Sequence, residues 1–175
     1  MTHHTEDTLL ARLTDLGIAY TLHRHPPLFT VEDSKALRGD IPGAHCKNMF
    51  LKAKSGDLVL VTCRENRSIR IRDLEKLIGL RKLSFGKPDL LLEVLGVTPG
   101  AVTPLAVVND AEARVHVILD QQLFAEPLLA CHPLHNEATV AISTNDIRRI
   151  LSTTGHAVTE VDFDALEEKA KEAAA

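Results

Sequence analysis

Aromatic residues make up only 3% of this 175-residue chain, and tryptophan is absent. A groove that stacks successive unpaired bases needs aromatic faces, so that mode of nucleic-acid binding fits poorly. No uninterrupted apolar run approaches the roughly 20 residues a membrane helix needs, so no membrane association is expected. The first ten residues, MTHHTEDTLL, carry neither a basic stretch nor an apolar one, so no secretory leader is expected. Cysteine is scarce too: Cys46, Cys63 and Cys131 are odd in number and share no CxxC spacing. That usage predicts free thiols in a reducing, cytoplasmic setting. The formal net charge is −4, so no global basic excess advertises a nucleic-acid partner. HExxH, GxSxG and a phosphate-cradling P-loop are missing as well, which weakens the common hydrolase and nucleotidase classes.

What is present is an ordinary globular composition, 45% hydrophobic and 25% charged. The length suits a single domain over 1–175. Leu9, Leu10, Leu13 and Leu16 recur at helical spacing over 6–16, and Gly17 follows them. Residues 20–25 alternate as a short strand that Pro26-Pro27 stops. Thr30 with Asp33 opens a helix expected to run to about Arg38 and to close at Gly39. Ser55-Gly56-Asp57 separates two apolar runs, 48–54 and 58–63, which predicts a β-hairpin. Further helices are expected over 71–78, 87–95 and, capped by Thr144, 145–154; strands are expected over 81–85, 138–142 and 156–161. A second hairpin is predicted from 105–108 and 114–119 around Asn109-Asp110, then a short helix at 121–124 and a polar loop at 131–136. The tail from 164 to 175 reads as helical or frayed. Hairpins interleaved with helices predict an α/β fold of the α+β kind. Its sheet should be mixed, largely antiparallel and curled, with helices around it.

The stretch Ile41 to Lys54 (IPGAHCKNMFLKAK) draws attention because a lysine enters an apolar strand. An unpaired buried ammonium is costly, so Lys47 must turn to solvent, pair with a carboxylate, or await an anionic ligand. Gly96 to Pro104 holds two further glycine–proline punctuations and predicts a rigid loop that can approach a ligand closely. His135-Asn136 precedes a strand as a neutral polar pair. His23/His25 and Cys131/His132/His135 invite a metal, yet no fixed carboxylate offset accompanies them, so no metal is expected. Between 64 and 87 there are eight cations against three anions, a local basic face able to meet phosphates.

CKNMFLK, then GAVTPLAVVND, then HPLHNEATVAIS, in this order and spacing, resemble the YbaK/prolyl-tRNA synthetase-associated editing family. Within it the chain is most similar to free-standing proteins of the ProXp-ala or PrdX type. The similarity runs from about Leu9 to Phe163. It implies the YbaK-type fold and hydrolysis of mischarged Ala-tRNA(Pro), without metal or cofactor and with help from the terminal ribose hydroxyl. It implies that Lys47 meets the terminal phosphate or the ester region and that Asn48 helps position the substrate. Gly100, Ala101, Val102, Thr103 and Pro104 would wall the pocket, and His135 with Asn136 would line it. The implied partners are the acceptor end of tRNA(Pro) charged with alanine, and prolyl-tRNA synthetase or an elongation factor. Two alternatives stay open: a deacylase for another small aminoacyl-tRNA such as Cys-tRNA(Pro), and a non-catalytic tRNA- or synthetase-binding module. Nothing in the sequence sets the oligomeric state.

Overall fold

The computed structural model describes residues 2–28, 30–37 and 41–175. Helix α1 (Glu6–Asp15) opens with a reciprocal Thr5/Thr8 capping box and buries Leu9 and Leu13 completely. Strand β1 (Tyr20–Arg24) follows. Helix α2 (Val31–Leu37) starts where expected, the Thr30 hydroxyl accepting the Asp33 amide at 3.0 Å. Its expected close at Arg38 and Gly39 lies outside the described residues. The predicted hairpin is β2 (Ala44–Lys52) with β3 (Leu58–Arg64), in seven paired positions. Next come α3 (Ile71–Ile78), the two-residue β4 (Ser84–Phe85) and α4 (Pro88–Leu95). The second half holds β5 (Val115–Asp120), β6 (Leu128–Cys131), β7 (Ala138–Ser143), α5 (Thr144–Ser152), β8 (Val158–Val161) and α6 (Phe163–Ala174).

All eight strands join one sheet in the order β1-β7-β6-β2-β3-β5-β8, with β4 on β2. Four pairings are antiparallel and three parallel, the mixed sheet the interleaved hairpins predict. Strand β2 is the shared member of its two halves. One edge pairs with β3 along seven residues. The other meets β6 only at Ala44↔Leu129 and His45↔Ala130, and meets β4 only at Leu51↔Phe85 and Lys52↔Ser84. From Cys46 to Met49 no strand lies against that edge among the described residues, so the sheet splits there. Gly43 permits the approach to β6: its φ is +109°, and a Cβ would stand 3.0 Å from the Leu128 carbonyl.

Both faces of the sheet are covered. Leu58 and Leu60 of β3 join Phe50, Leu95, Leu105 and Leu119 on one face. Val59, Val61 and Cys63 join Leu51, Leu74, Ile118 and Phe163 on the other. This is the period-2 alternation of a strand buried on both sides.

Several expected elements differ. Residues Pro104–Asn109 form a 3-10 helix instead of a hairpin strand. Pro104 sets the helical φ, and the Thr103 hydroxyl accepts the Leu105 amide at 3.4 Å. The strand expected at 81–85 is reduced to its last two residues, because Lys82 turns left-handed with φ +54°. Cys131 ends a strand instead of opening a loop, and β8 begins at Val158. Ser143, not Thr144, caps α5 by accepting the Asp146 amide at 3.1 Å; Thr144 instead donates to the Glu126 carbonyl.

Candidate active site

The split beside β2 opens into a cavity of about 60 Å3. Its walls include Cys46 and Asn48 from β2, Ala130 and Cys131 from β6, His132 just beyond β6, and Thr139 from β7. A larger groove of about 820 Å3 lies between α3 and α6. Leu77, Leu166, Ala170 and Ala173 line that groove, and of its charged groups Arg70, Arg72, Lys76 and Lys169 are exposed while Asp73 is half-buried and paired with Arg70. Polar groups converge in the smaller cavity, which is what orienting a reactive ester requires.

Asn48 is held from two sides. The buried Thr62 hydroxyl, opposite it on β3, donates to its Oδ1 at 2.7 Å, and its Nδ2 donates to the Cys46 sulfur at 3.8 Å. That leaves the second amide hydrogen for a ligand. Cys46 in turn donates to the Ala130 carbonyl at 3.5 Å. Burial pushes the Cys46 thiol up to about 12, against a small opposing pull from the Asn48 amide. Burial pushes Cys131 up as well. Both are neutral thiols at physiological pH, walls and not nucleophiles.

His132 is the residue that the sequence-based site omits. Its Nδ1 lies 2.8 Å from the Ala138 carbonyl, which only accepts, so Nδ1 carries the proton. Burial holds its pKa below the ordinary 6.5 despite that bond, with His25 and His135 adding to the depression. The neutral ring therefore keeps a lone pair on Nε2. His25 stands behind it, ring centroids 6.2 Å apart, with its Nε2 2.9 Å from the Thr139 hydroxyl. The loop that follows His132 carries Leu134 at φ +73°, a left-handed non-glycine residue of the kind that marks functional loops.

The loop from Gly100 to Pro104 backs this cavity. Gly100 takes φ +88°, and Ala101, Thr103 and Pro104 are buried while Val102 is half-buried. The Thr103 side chain lies close enough to the Cys131 thiol to oppose the effect of burial on it, which puts the loop one layer behind that wall residue. Asn136 acts at a similar remove. Its Nδ2 donates to the Leu28 carbonyl at 3.1 Å and its own carbonyl accepts the Leu28 amide, clamping another wall residue.

Lys47 and His135 lie elsewhere. Successive strand residues face opposite sides, so Lys47 shares its face with Met49 and Leu51 and not with Asn48. Its ammonium donates to the Arg67 carbonyl. His135 directs Nε2 to Glu6, while its Nδ1 accepts the Glu137 amide at 3.1 Å. Arg24 also grips Glu6 and, with His135, holds that carboxyl below its usual range against the effect of burial. Of the residues the sequence singles out, Asn48 stands in the cavity wall, whereas Thr103 and Asn136 reach it only through the wall residues Cys131 and Leu28. The Lys47 and His135 side chains turn away from it.

The basic segment is less free than its composition suggests. Arg64 lies near Glu126, Arg67 is buried among carboxylates, and Arg70 pairs with Asp73 at 2.6 Å. Arg72, Lys76, Arg81, Lys82 and Lys87 remain exposed, with no ion pair among the described residues. Phe85, 66% exposed, stands among the last three. No group of three or more His, Cys, Asp or Glu among the described residues is placed to hold a metal. No helix among them is long and apolar enough to cross a membrane.

Comparison with known proteins places this geometry. The family model for the aminoacyl-tRNA editing domain matches residues 25–150. The chain is 34% identical over 159 residues to the prolyl-tRNA editing protein ProX of Acetoanaerobium sticklandii, covering 90% of this chain and 97% of that one. It is 36% identical over 154 residues to prolyl-tRNA synthetase associated domain-containing protein 1 of Danio rerio, covering 87% and 84%. A solved structure described as a candidate trans-editing enzyme for prolyl-tRNA synthetase superposes with a TM-score of 0.67 at 16% identity, covering 92% of this chain and 99% of that one; it speaks for the fold alone. Fold, motif order and these matches agree: the chain belongs to the aminoacyl-tRNA editing domain family.

Proposed function

We propose that this protein is a trans-acting deacylase, working in the cytoplasm, that removes alanine mischarged onto tRNA(Pro). The observation that carries the reading is the cavity in the split sheet, with a fixed amide donor, a neutral imidazole and thiol walls. At about 60 Å3 it is a small cavity. In this reading it takes a one-carbon side chain in preference to a pyrrolidine ring. A synthetic site that binds proline cannot strongly reject a smaller residue, so a second, size-matched hydrolytic site supplies the discrimination.

An aminoacyl ester is already activated. Water adds to the ester carbonyl, the bond from that carbon to the ribose oxygen breaks, and alanine leaves with the tRNA hydroxyl restored. In this reading His132 Nε2 accepts the water's hydrogen bond and the spare Asn48 amide hydrogen meets the developing oxyanion. The Gly100–Pro104 loop and Asn136 hold the walls, and the terminal ribose hydroxyl assists. Lys47 meets the phosphate at the substrate's 3′ end, exchanging its carbonyl partner for an anion. His135 steadies the loop that carries His132. Arg81, Lys82 and Lys87 are the part of the basic segment left to contact acceptor-stem phosphates. Prolyl-tRNA synthetase or an elongation factor would supply further tRNA selectivity.

The test is hydrolysis of Ala-tRNA(Pro) beside Ser-, Cys- and Pro-tRNA(Pro). Preference for alanine with proline spared is expected. Hydrolysis no faster than the spontaneous rate for any of them would remove the reading.

A further inference from the structure

The turn after β3 is tied down more firmly than a surface turn needs. Arg67 donates its amide to the Arg64 carbonyl at 3.1 Å, and its side chain is only 7% exposed. Its Nε and Nη2 reach the two oxygens of the fully buried Asp120, at 2.8 and 3.2 Å. Asp120 also accepts the Arg64 and Gln122 amides, both at 3.1 Å, so this carboxylate is anchored at the end of β5. The remaining guanidinium nitrogen, Nη1, crosses to Asp164 and to Glu167, the latter at 3.4 Å, both on α6. One side chain thus joins the end of β3, the end of β5 and the C-terminal helix. The carbonyl of the same residue accepts the Lys47 ammonium. Cys63, opposite Lys47 on β3, donates to the Lys47 carbonyl at 3.9 Å, so the lysine backbone is fixed from the same side.

A buried arginine with its carboxylates is not by itself a gain in stability, since desolvation offsets much of the attraction. What it fixes is geometry, because the planar guanidinium fork accepts few arrangements. We propose that Arg67 is a positioning residue for deacylation: its carboxylate anchors on β5 and α6 fix the carbonyl that holds the Lys47 ammonium. The C-terminal helix thereby sets where that lysine can reach. The proposal rests on the reading in which Lys47 meets the substrate's anionic end.

The decisive variant is Asp164→Asn with Glu167→Gln, which loosens α6 and leaves the Asp120 pair intact. Arg67→Lys keeps the charge and loses the fork; Arg67→Ala removes both. Two readouts are needed. Reductive methylation of the full-length protein, followed by mass spectrometry, reports Lys47 accessibility against exposed Lys52 without any substrate. Steady-state deacylation of Ala-tRNA(Pro) reports KM and kcat separately. In the double variant, Lys47 methylation should rise several-fold relative to Lys52. KM should rise about fivefold to tenfold with kcat within about twofold, the signature of lost uniform binding. Arg67→Lys should fall between wild type and Arg67→Ala, and if Arg67→Ala does not fold the double variant decides. Unchanged Lys47 methylation and unchanged KM in both milder variants overturn the proposal. So does a lower kcat at constant KM with a lower melting temperature, which marks a purely structural role. Full activity in Lys47→Ala would remove the functional reading of the lysine and this proposal with it. A crippled Lys47→Ala beside silent α6 variants would remove this proposal alone.

Discussion

The two faces of β2 differ sharply in how they handle charge. On one, Asn48 and Cys46 look into a cavity with no charged partner bonded to either, and the imidazole that joins them is held neutral. On the other, one residue away, the Lys47 ammonium sits above a buried arginine with three carboxylates about it. The charged face buries its ions against partners, whereas on the cavity side the half-buried Glu65 is the carboxylate among otherwise uncharged walls, and its charge pushes the Cys46 thiol further up. The Asn48 amide can turn toward a substrate without first breaking an ion pair, whereas on the charged face Arg67 and its carboxylates are committed to holding the chain together and the Lys47 ammonium rests on a carbonyl.

Removing the imidazole should have the largest effect on that contrast. His132→Ala is expected to lower kcat by about 100-fold or more, as general-base losses do, with melting little changed; a loss under about threefold would take His132 out of the chemistry. The active form is the unprotonated ring, and its pKa lies below the ordinary imidazole value of 6.5. Activity should therefore persist as pH falls past 6.5 and fail only at a lower pH. A kcat–pH profile checks this, and the acid limb should vanish in His132→Gln.

Next comes the charged face. Asp120→Asn strips the buried guanidinium of its main partner and should cost about 3 kcal/mol of stability, measured by urea unfolding. Lys47→Ala should then raise KM about tenfold on alanine-, serine- and cysteine-charged tRNA alike, the size expected for one charge-assisted hydrogen bond. An effect confined to one amino acid would move Lys47 into the amino-acid pocket. Glu6→Gln should matter least, under about 1 kcal/mol by thermal melting. Because the Glu6 pKa is depressed in the folded state, its contribution is present above the ordinary 4.5 and disappears as pH falls through the lower folded value. The variant should therefore melt like wild type in strong acid and differ only above that window.

Much of this architecture was readable from residue order. Leu9 and Leu13 announced α1, Ser55-Gly56-Asp57 announced the central hairpin, and the three motif stretches pointed to the family and to Asn48. Which side of β2 faces the cavity was not readable, because Met49-Phe50-Leu51 is apolar on both faces and carries no alternation. Lys47 and Asn48 therefore looked like partners although the pleat separates them. His132 and His135 fall in one predicted loop, so residue order does not decide between them; the strand Leu128–Cys131 is what delivers the His132 side chain to the cavity. The basic run at 64–87 overstated the free charge, since no spacing reveals that Arg67 is spent on Asp120.

Among the described residues, β2 pairs with the β1–β7–β6 half of the sheet at two positions only, Ala44 and His45. So short a seam should breathe well before the whole chain melts. Deuterium should enter the amides of Ala44, His45 and Ala130 long before those of Val59 and Val61. A substrate that occupies the adjoining gap should slow that uptake, so isotope exchange can report occupancy even for a variant too slow to turn over.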